Sequence, residues 1–205
     1  IKETGCCSLG GRKQISFLNY MWLRFIVLIF SCLVCSQNEK DKLIYEIISN
    51  ISEDRLKDDI QKLVNFGTRH TLSDTVSETR GIGAARRWIK KEFEQISDDC
   101  DGCLEVFYQN NYFKRNNLRL IKDVWINNVV AIQRGTKHPN RYIIMSGDID
   151  SRVSDPNDFK SDSPGANDNA TGMSGTIEAA RVLSKFKFEN SIIFVGLSGE
   201  EQGLY

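Results

Sequence analysis

Histidine is scarce in this sequence, with only His70 and His138 among 205 residues. Proline is scarce as well, with three in all, which excludes a polyproline linker or a proline-rich low-complexity chain. Net charge is missing altogether, because 27 basic side chains are matched by 27 acidic ones. Without a basic excess there is no electrostatic footprint for nucleic acid, and none is expected as a partner. No internal repeat is visible. Also lacking is an apolar run of about 20 residues, the length a helix needs to cross a bilayer. What remains is a 40 % apolar share, which suits a packed domain.

The apolar stretch from Phe25 to Cys35 follows Arg24 and is too short to span a membrane. It fits the core of a signal peptide, with Val34 and Ser36 as the small-residue pair before a cleavage after Ser36. Residues 21–36 are therefore expected to be a signal peptide, and residues 1–20 a translated leader upstream of Met21. Residues 37–205 are expected to form the functional domain, secreted or periplasmic, with no stable membrane span after cleavage. An uncleaved anchor and a lipid anchor on Cys32 or Cys35 are the alternatives, although neither cysteine follows a good lipobox. Of six cysteines, only Cys100 and Cys103 in "CDGC" then lie in the mature chain. Two cysteines do not close a structural zinc site. They form a local disulfide or remain idle thiols.

Ser52 is placed to cap a helix through Phe66, with Leu56, Ile60, Leu63 and Val64 as its apolar stripe. "FGTRHT" (66–71) breaks that helix. A second begins near Gly81 and buries Ile82, Ala85, Ile89, Phe93 and Ile96. Strands are expected at Leu104–Tyr108, Asn128–Gln133 and Tyr142–Ser146, with "KRNNLRLIKD" (114–123) as a loop between the first two. A helix over Thr171–Lys185 and a strand over Ile192–Leu197 follow. Strands alternating with helices predict an α/β fold: a three-layer αβα sandwich around a mixed, largely parallel sheet.

The acidic residues fall at the ends of these elements. "GDID" (147–150) follows one apolar strand, "GANDN" (165–169) opens a helix, and "GEE" (199–201) follows the next strand. In open α/β sheets ligands bind outside the carboxyl ends of strands, so these three turns are expected to converge. Four or five converging carboxylates repel one another unless a cation sits among them, which is the physical case for a metal. Asp168 lies in a glycine-rich turn where its two oxygens are placed to bridge two ions. Glu200 and Glu201 are adjacent, and past the strand end the chain is free to turn, so one is read as a ligand and the other as a general base. A solvated pair of loop glutamates is the alternative.

"SPGANDNATG" with "GEEQGL", an upstream "SGxxDSR" and "FGTRHT" before an amphipathic helix resemble the co-catalytic zinc aminopeptidases of peptidase family M28. The resemblance covers roughly residues 50–205. It implies the zinc-exopeptidase fold, two Zn2+ ions and hydrolysis of the N-terminal residue from peptide substrates. It makes Asp168 the ligand that bridges the ions, Glu201 a ligand of the second, Glu200 the general base, and Asp150 the carboxylate that orients a ligating histidine. It also implies a cis peptide bond between Asp168 and Asn169. Two features depart from the family. The histidine normally found two residues before Asp150 is Asp148 here, which is read as a replacement ligand that admits Mn2+ or Co2+. Asp150 then needs a new donor, for which Arg152 is the candidate, and neither His70 nor His138 is an obvious substitute ligand. The family also needs a further aspartate and histidine downstream, so 37–205 is expected to be an incomplete metallopeptidase domain, inactive as given and truncated before its C-terminal strands. A catalytically degenerate binding module and a glutaminyl-cyclase-like acyltransferase are the other functions considered.

Overall fold

The computed structural model describes residues 22, 24, 40–116 and 118–205. The expected leader, residues 1–20, and the expected signal-peptide core and cleavage point, residues 25–36, lie outside the described residues. The chain divides into two units, Ile1–Ser49 and Asn50–Tyr205. In the first, residues 40–49 are helical and the Ser49 hydroxyl donates to the Glu46 carbonyl at 2.8 Å. Among the described residues no helix is long and apolar enough to cross a membrane.

The second unit begins with helix α1 (Glu53–Val64). Ser52, in extended backbone, caps it by accepting from the Arg55 N–H at 3.3 Å, and Glu53 and Asp54 complement the positive end of the helix dipole. Helix α2 (Gly81–Asp99) buries the expected stripe of Ile82, Ala85, Ile89, Phe93 and Ile96. Just past its end, Cys100 and Cys103 form the local disulfide. Strands β1 (Leu104–Phe113) and β2 (Val124–Gln133) pair antiparallel from Leu104↔Gln133 to Phe113↔Val124. Strand β3 (His138–Asp148) is followed by helix α3 (Thr171–Leu183) and strand β4 (Asn190–Leu197).

The sheet order is β1-β2-β4-β3, with β2 antiparallel and β3 parallel to β4. The sheet is mixed, as expected, yet two of its three pairings are antiparallel. The reason lies in the connections. A parallel crossover needs a dozen or more residues, usually a helix, and the segment between β1 and β2 offers only a short irregular loop. The link from β3 to β4 carries α3 and gives the one parallel pair.

All three helices contribute to a core on one face of the sheet, where Leu63, Ile89, Phe93, Met173 and Ile177 meet Val129, Ala131 and Phe194. Burying a side chain of this size contributes about 1.5–3 kcal/mol. On the opposite face Val130, Ile132 and Val195 pack with Ile193 and Leu197, and no helix of the described residues joins them. The second unit thus places a helical layer on one face of the sheet. At Gly147 an added Cβ would lie 2.5 Å from Gly172 C and Met173 N, so β3 and α3 meet backbone to backbone. This contact brings the acid at the end of β3 beside the turn that starts α3.

Candidate active site

Asp148 is the last residue of β3 and stands in register with Leu197 of β4. The Ile149 N–H donates to the Leu197 carbonyl at 2.7 Å, so "GDID" leaves the sheet alongside "GEE". Neighbouring strands lie about 4.8 Å apart, which makes these two turns immediate neighbours. Ser198 anchors the end of β4 to β2 through its N–H on Asn128 Oδ1 (2.8 Å) and its hydroxyl on the Asn127 carbonyl (3.0 Å). The chain then turns, with Gly203 N–H donating to the Glu200 carbonyl at 2.9 Å. The third turn runs through Ala166–Ala170, and its Asp168–Asn169 peptide bond is cis, as the resemblance implies. Asn169 links it to β3 by donating from Nδ2 to Asp148 Oδ2 at 2.9 Å, while its Oδ1 accepts from Gly172 N–H at 2.8 Å.

The electrostatics confirm that these turns share one space. The Glu200 carboxyl is held above its usual range by burial, and then by the charges of Glu201, Asp148 and Asp168, with Arg152 opposing. Three of the other candidate acids thus act on Glu200. Asp150 differs, because it lies behind them and is 1 % exposed. Its Oδ2 accepts from the Thr71 hydroxyl at 2.6 Å and from the Glu201 N–H at 3.2 Å. Its Oδ1 is buried without a hydrogen-bond partner, and burial pushes its carboxyl up to about 6.

One expectation needs correction. Arg152 does not serve Asp150; its Nε donates to Glu201 Oε2 at 2.6 Å, and its Nη1 donates to the carbonyls of Val153 and Ser154. The Thr71 hydroxyl is the donor that Asp150 found instead, because Thr71 sits directly against it whereas the longer Arg152 reaches the better-exposed charge of Glu201. Neither histidine side chain is bonded to any of the five acids. His70 is fully buried, with Nδ1 accepting from Leu72 N–H at 3.0 Å and Nε2 on the Pro156 carbonyl at 3.0 Å. Burial lowers its pKa, which keeps it neutral. His138 opens β3, at the far end of the strand from Asp148.

Among the described residues no group of three or more histidine, cysteine or acidic side chains is drawn close enough to hold a metal. The chemistry of the donors nonetheless fits one. Asp148, Asp168 and Glu201 offer carboxylate oxygens, which bind zinc and also harder divalent ions. The mutual repulsion registered at Glu200 is what a cation relieves. The partnerless Asp150 Oδ1 is what remains when residue 148 carries no imidazole proton to donate. Sequence reasoning missed Thr71 and Asn169 as partners of the acids, although both lie inside quoted motifs.

Residues 128–205 match the profile of Peptidase family M28. The chain is 41 % identical over 166 residues to a "Probable zinc metalloprotease" of Pyrenophora tritici-repentis, an alignment covering 80 % of this chain and 38 % of that protein. The chain spans roughly two-fifths of the length of the curated relatives it matches. Among solved structures, the LapA aminopeptidase of Legionella pneumophila has a TM-score of 0.59 at 19 % identity, covering 80 % of this chain and 38 % of its own. A glutaminyl cyclase from Fimbriiglobus ruber has a TM-score of 0.57 at 20 % identity, covering 74 % of this chain and 47 % of its own. At such identities these two structures share the fold and nothing more. The profile and the curated relatives go one step further: residues 128–205 match peptidase family M28, and the chain is similar to proteins named zinc metalloproteases.

Proposed function

We propose that the protein is a zinc-dependent aminopeptidase that removes N-terminal residues from peptides, with Asp148, Asp168 and Glu201 holding two zinc ions. The observation that carries this reading is the hydrogen-bonded meeting of the turns after β3, before α3 and after β4, which carry Asp148, Asp168, Glu200 and Glu201. Asp168, Glu201 and Asp148 would hold the ions through their carboxylate oxygens, with Asp148 at the position that the family gives to histidine. Bound zinc supplies Lewis acidity, which polarises a scissile carbonyl and makes a nearby water more acidic. Glu200 accepts the proton of the attacking water and returns it to the nitrogen of the leaving amine. Asp150 does not touch the reacting atoms; it fixes the backbone of Glu201 through that residue's N–H.

A carboxylate at position 148 adds one negative charge over a neutral imidazole. That favours a more strongly charged or harder ion, so Mn2+ or Co2+ competes there with zinc. The same reading takes the protein to be secreted or periplasmic, which the Cys100–Cys103 disulfide supports. The test is release of an aminoacyl chromophore by the full-length protein containing these residues, compared with Glu200→Gln. Removing a general base is expected to lower kcat by about 10²–10⁴-fold while zinc stays bound. Equal activity in Glu200→Gln, or none in either protein with any metal, contradicts the reading and favours a degenerate binding module.

A further inference from the structure

Three consecutive residues of "FGTRHT" between them bond to all three acid-bearing turns. Arg69 is 1 % exposed and spends its guanidinium on carbonyls. Its Nε donates to Ile149 O (2.8 Å), its Nη1 to Pro164 O (2.7 Å) and Leu63 O (3.0 Å), and its Nη2 to Gly165 O (3.0 Å). Ile149 lies between Asp148 and Asp150, and Gly165 opens the turn that carries Asp168. Gly165 has a φ of +47°, and a Cβ there would lie 2.4 Å from Asp168 O, 2.6 Å from Ser151 Cβ and 2.9 Å from Arg69 Nη2, so the turn closes against Arg69 only as glycine.

Thr71 donates to Asp150 Oδ2, the same oxygen that accepts the Glu201 N–H. His70 reaches the third turn: its Nε2–H, which also faces Pro156 O, donates to the Gln202 side-chain oxygen at 2.9 Å once that amide is oriented with its oxygen toward the ring. The same orientation lets the amide nitrogen donate to Arg119 O (2.7 Å) and Pro156 O (3.2 Å). The backbone of the segment is itself zipped to the second turn by the Thr68↔Ser163 bridge and by Ser163 N–H on Gly67 O (2.9 Å). Ser151 closes the set, accepting from Arg69 N–H (3.2 Å) and donating to Ser163 O (2.7 Å).

None of these three side chains reaches Asp148, Asp168, Glu200 or Glu201 directly, so none is a catalytic residue. They act on the backbone that carries those acids and on Asp150. We propose that Arg69, His70 and Thr71 are positioning residues that hold the three acid-bearing turns in mutual register, independently of any bound cation. The consequence for catalysis rests on the reading of the site as a zinc hydrolase; the positioning itself does not.

The test uses the zinc-free, full-length protein and reads amide hydrogen exchange at single residues. Thr71→Val keeps the shape and removes the hydroxyl, and Thr71→Ser keeps the donor. Exchange at the Glu201 amide is expected to quicken about tenfold in Thr71→Val and to return to wild type in Thr71→Ser, with the β2 amides of Val129–Gln133 unchanged. Gln202→Met, which removes the partner of His70, is expected to quicken Gly203 and Leu204 in the same way and provides a second arm should Thr71→Val not fold. Zinc affinity, measured against a chromophoric chelator, is expected to fall about tenfold in Thr71→Val and to recover in Thr71→Ser. Wild-type exchange at these amides in both variants overturns the proposal, as does a uniform rise at every amide, which is the signature of general destabilisation. If wild type binds no zinc, the hydrolase reading fails, and exchange at Glu201 still decides the positioning role.

Discussion

Arg152 is held by Glu201: its Nε lies 2.6 Å from Glu201 Oε2, while Asp150 draws its hydrogen bonds from Thr71 and from the Glu201 backbone. The guanidinium thus sits over one of the proposed zinc ligands. It neutralises part of the acid crowding while no cation is present, and it competes for the same oxygen when one arrives. Its charge also lowers the Glu200 pKa against the three acids that raise it.

Replacing Arg152 with methionine removes that opposing charge. Glu200, already raised, rises further, and a base whose pKa rises loses its deprotonated form at higher pH. The acidic limb of kcat/KM against pH is therefore expected to move to higher pH in Arg152→Met. An unmoved limb means that Arg152 does not act on Glu200.

Asp59 tests the electrostatics of the helical layer. It is buried on α1, its Oδ2 has no partner, and its carboxyl is pushed up to about 6 by burial, with Arg55 opposing and Glu92, Glu178 and Asp58 adding to the rise. A folded pKa above the unfolded one means that the fold binds this proton more tightly than the unfolded chain does. The resulting stability is complete below about pH 4 and is lost as pH rises through about 6. Asp59→Asn is expected to raise the melting temperature at pH 7–8 by an amount worth about 1 kcal/mol, with no gain at pH 4. A gain of equal size at both pH values contradicts this account.

Glu178 gathers the start of the unit onto α3. It accepts from Ser52 N–H at 2.7 Å and from Arg181 Nε at 2.7 Å, and Arg181 Nη2 donates in turn to the Asn50 carbonyl at 2.7 Å. Glu178→Ala leaves a half-buried cation and a backbone donor without their acceptor. It is expected to cost about 2–3 kcal/mol in urea unfolding, with an unchanged m-value.

Two glycines predict opposite signs. Gly147→Ala forces a Cβ to within 2.5 Å of the α3 backbone, which cannot move aside as a side chain would. A loss of about 1–3 kcal/mol is expected from this overpacking. Gly175 lies inside α3 with nothing within 4 Å of an added Cβ. Gly175→Ala is expected to stabilise by about 0.5–1 kcal/mol through helix propensity. Thermal melts of the two variants decide both signs.

Much of this structure was legible in the sequence wherever a pattern repeats. The stripe from Ile82 to Ile96 and the apolar run from Ile192 to Leu197 fixed α2 and β4, and the strand-then-turn rhythm located all three acidic turns. The outer half of the β1–β2 pair was not legible. It runs past the part of β2 that pairs with β4, so Gln109–Phe113 are exposed or half-buried, their partners are too except for buried Ile126, and the β1 segment shows no apolar alternation. The role of "FGTRHT" was hidden for a different reason. Arg69 works through carbonyl oxygens, which every residue supplies, at positions such as Ile149 that lie 80 residues away. The partner of Arg152 was missed because two acids lay within its reach, and only geometry chose between them.

The central claim is that Asp148, Asp168 and Glu201 hold zinc although position 148 lacks a histidine. The most direct measurement is zinc bound per chain, by elemental analysis after dialysis, in the full-length wild type, Asp148→Ala, Asp168→Ala and Asp148→His. The account predicts two equivalents in wild type and in Asp148→His, at most one in Asp148→Ala, and little in Asp168→Ala. Wild type retaining one ion or none, with Asp148→His alone restoring two ions and hydrolysis, contradicts it and makes Asp148 a lost ligand.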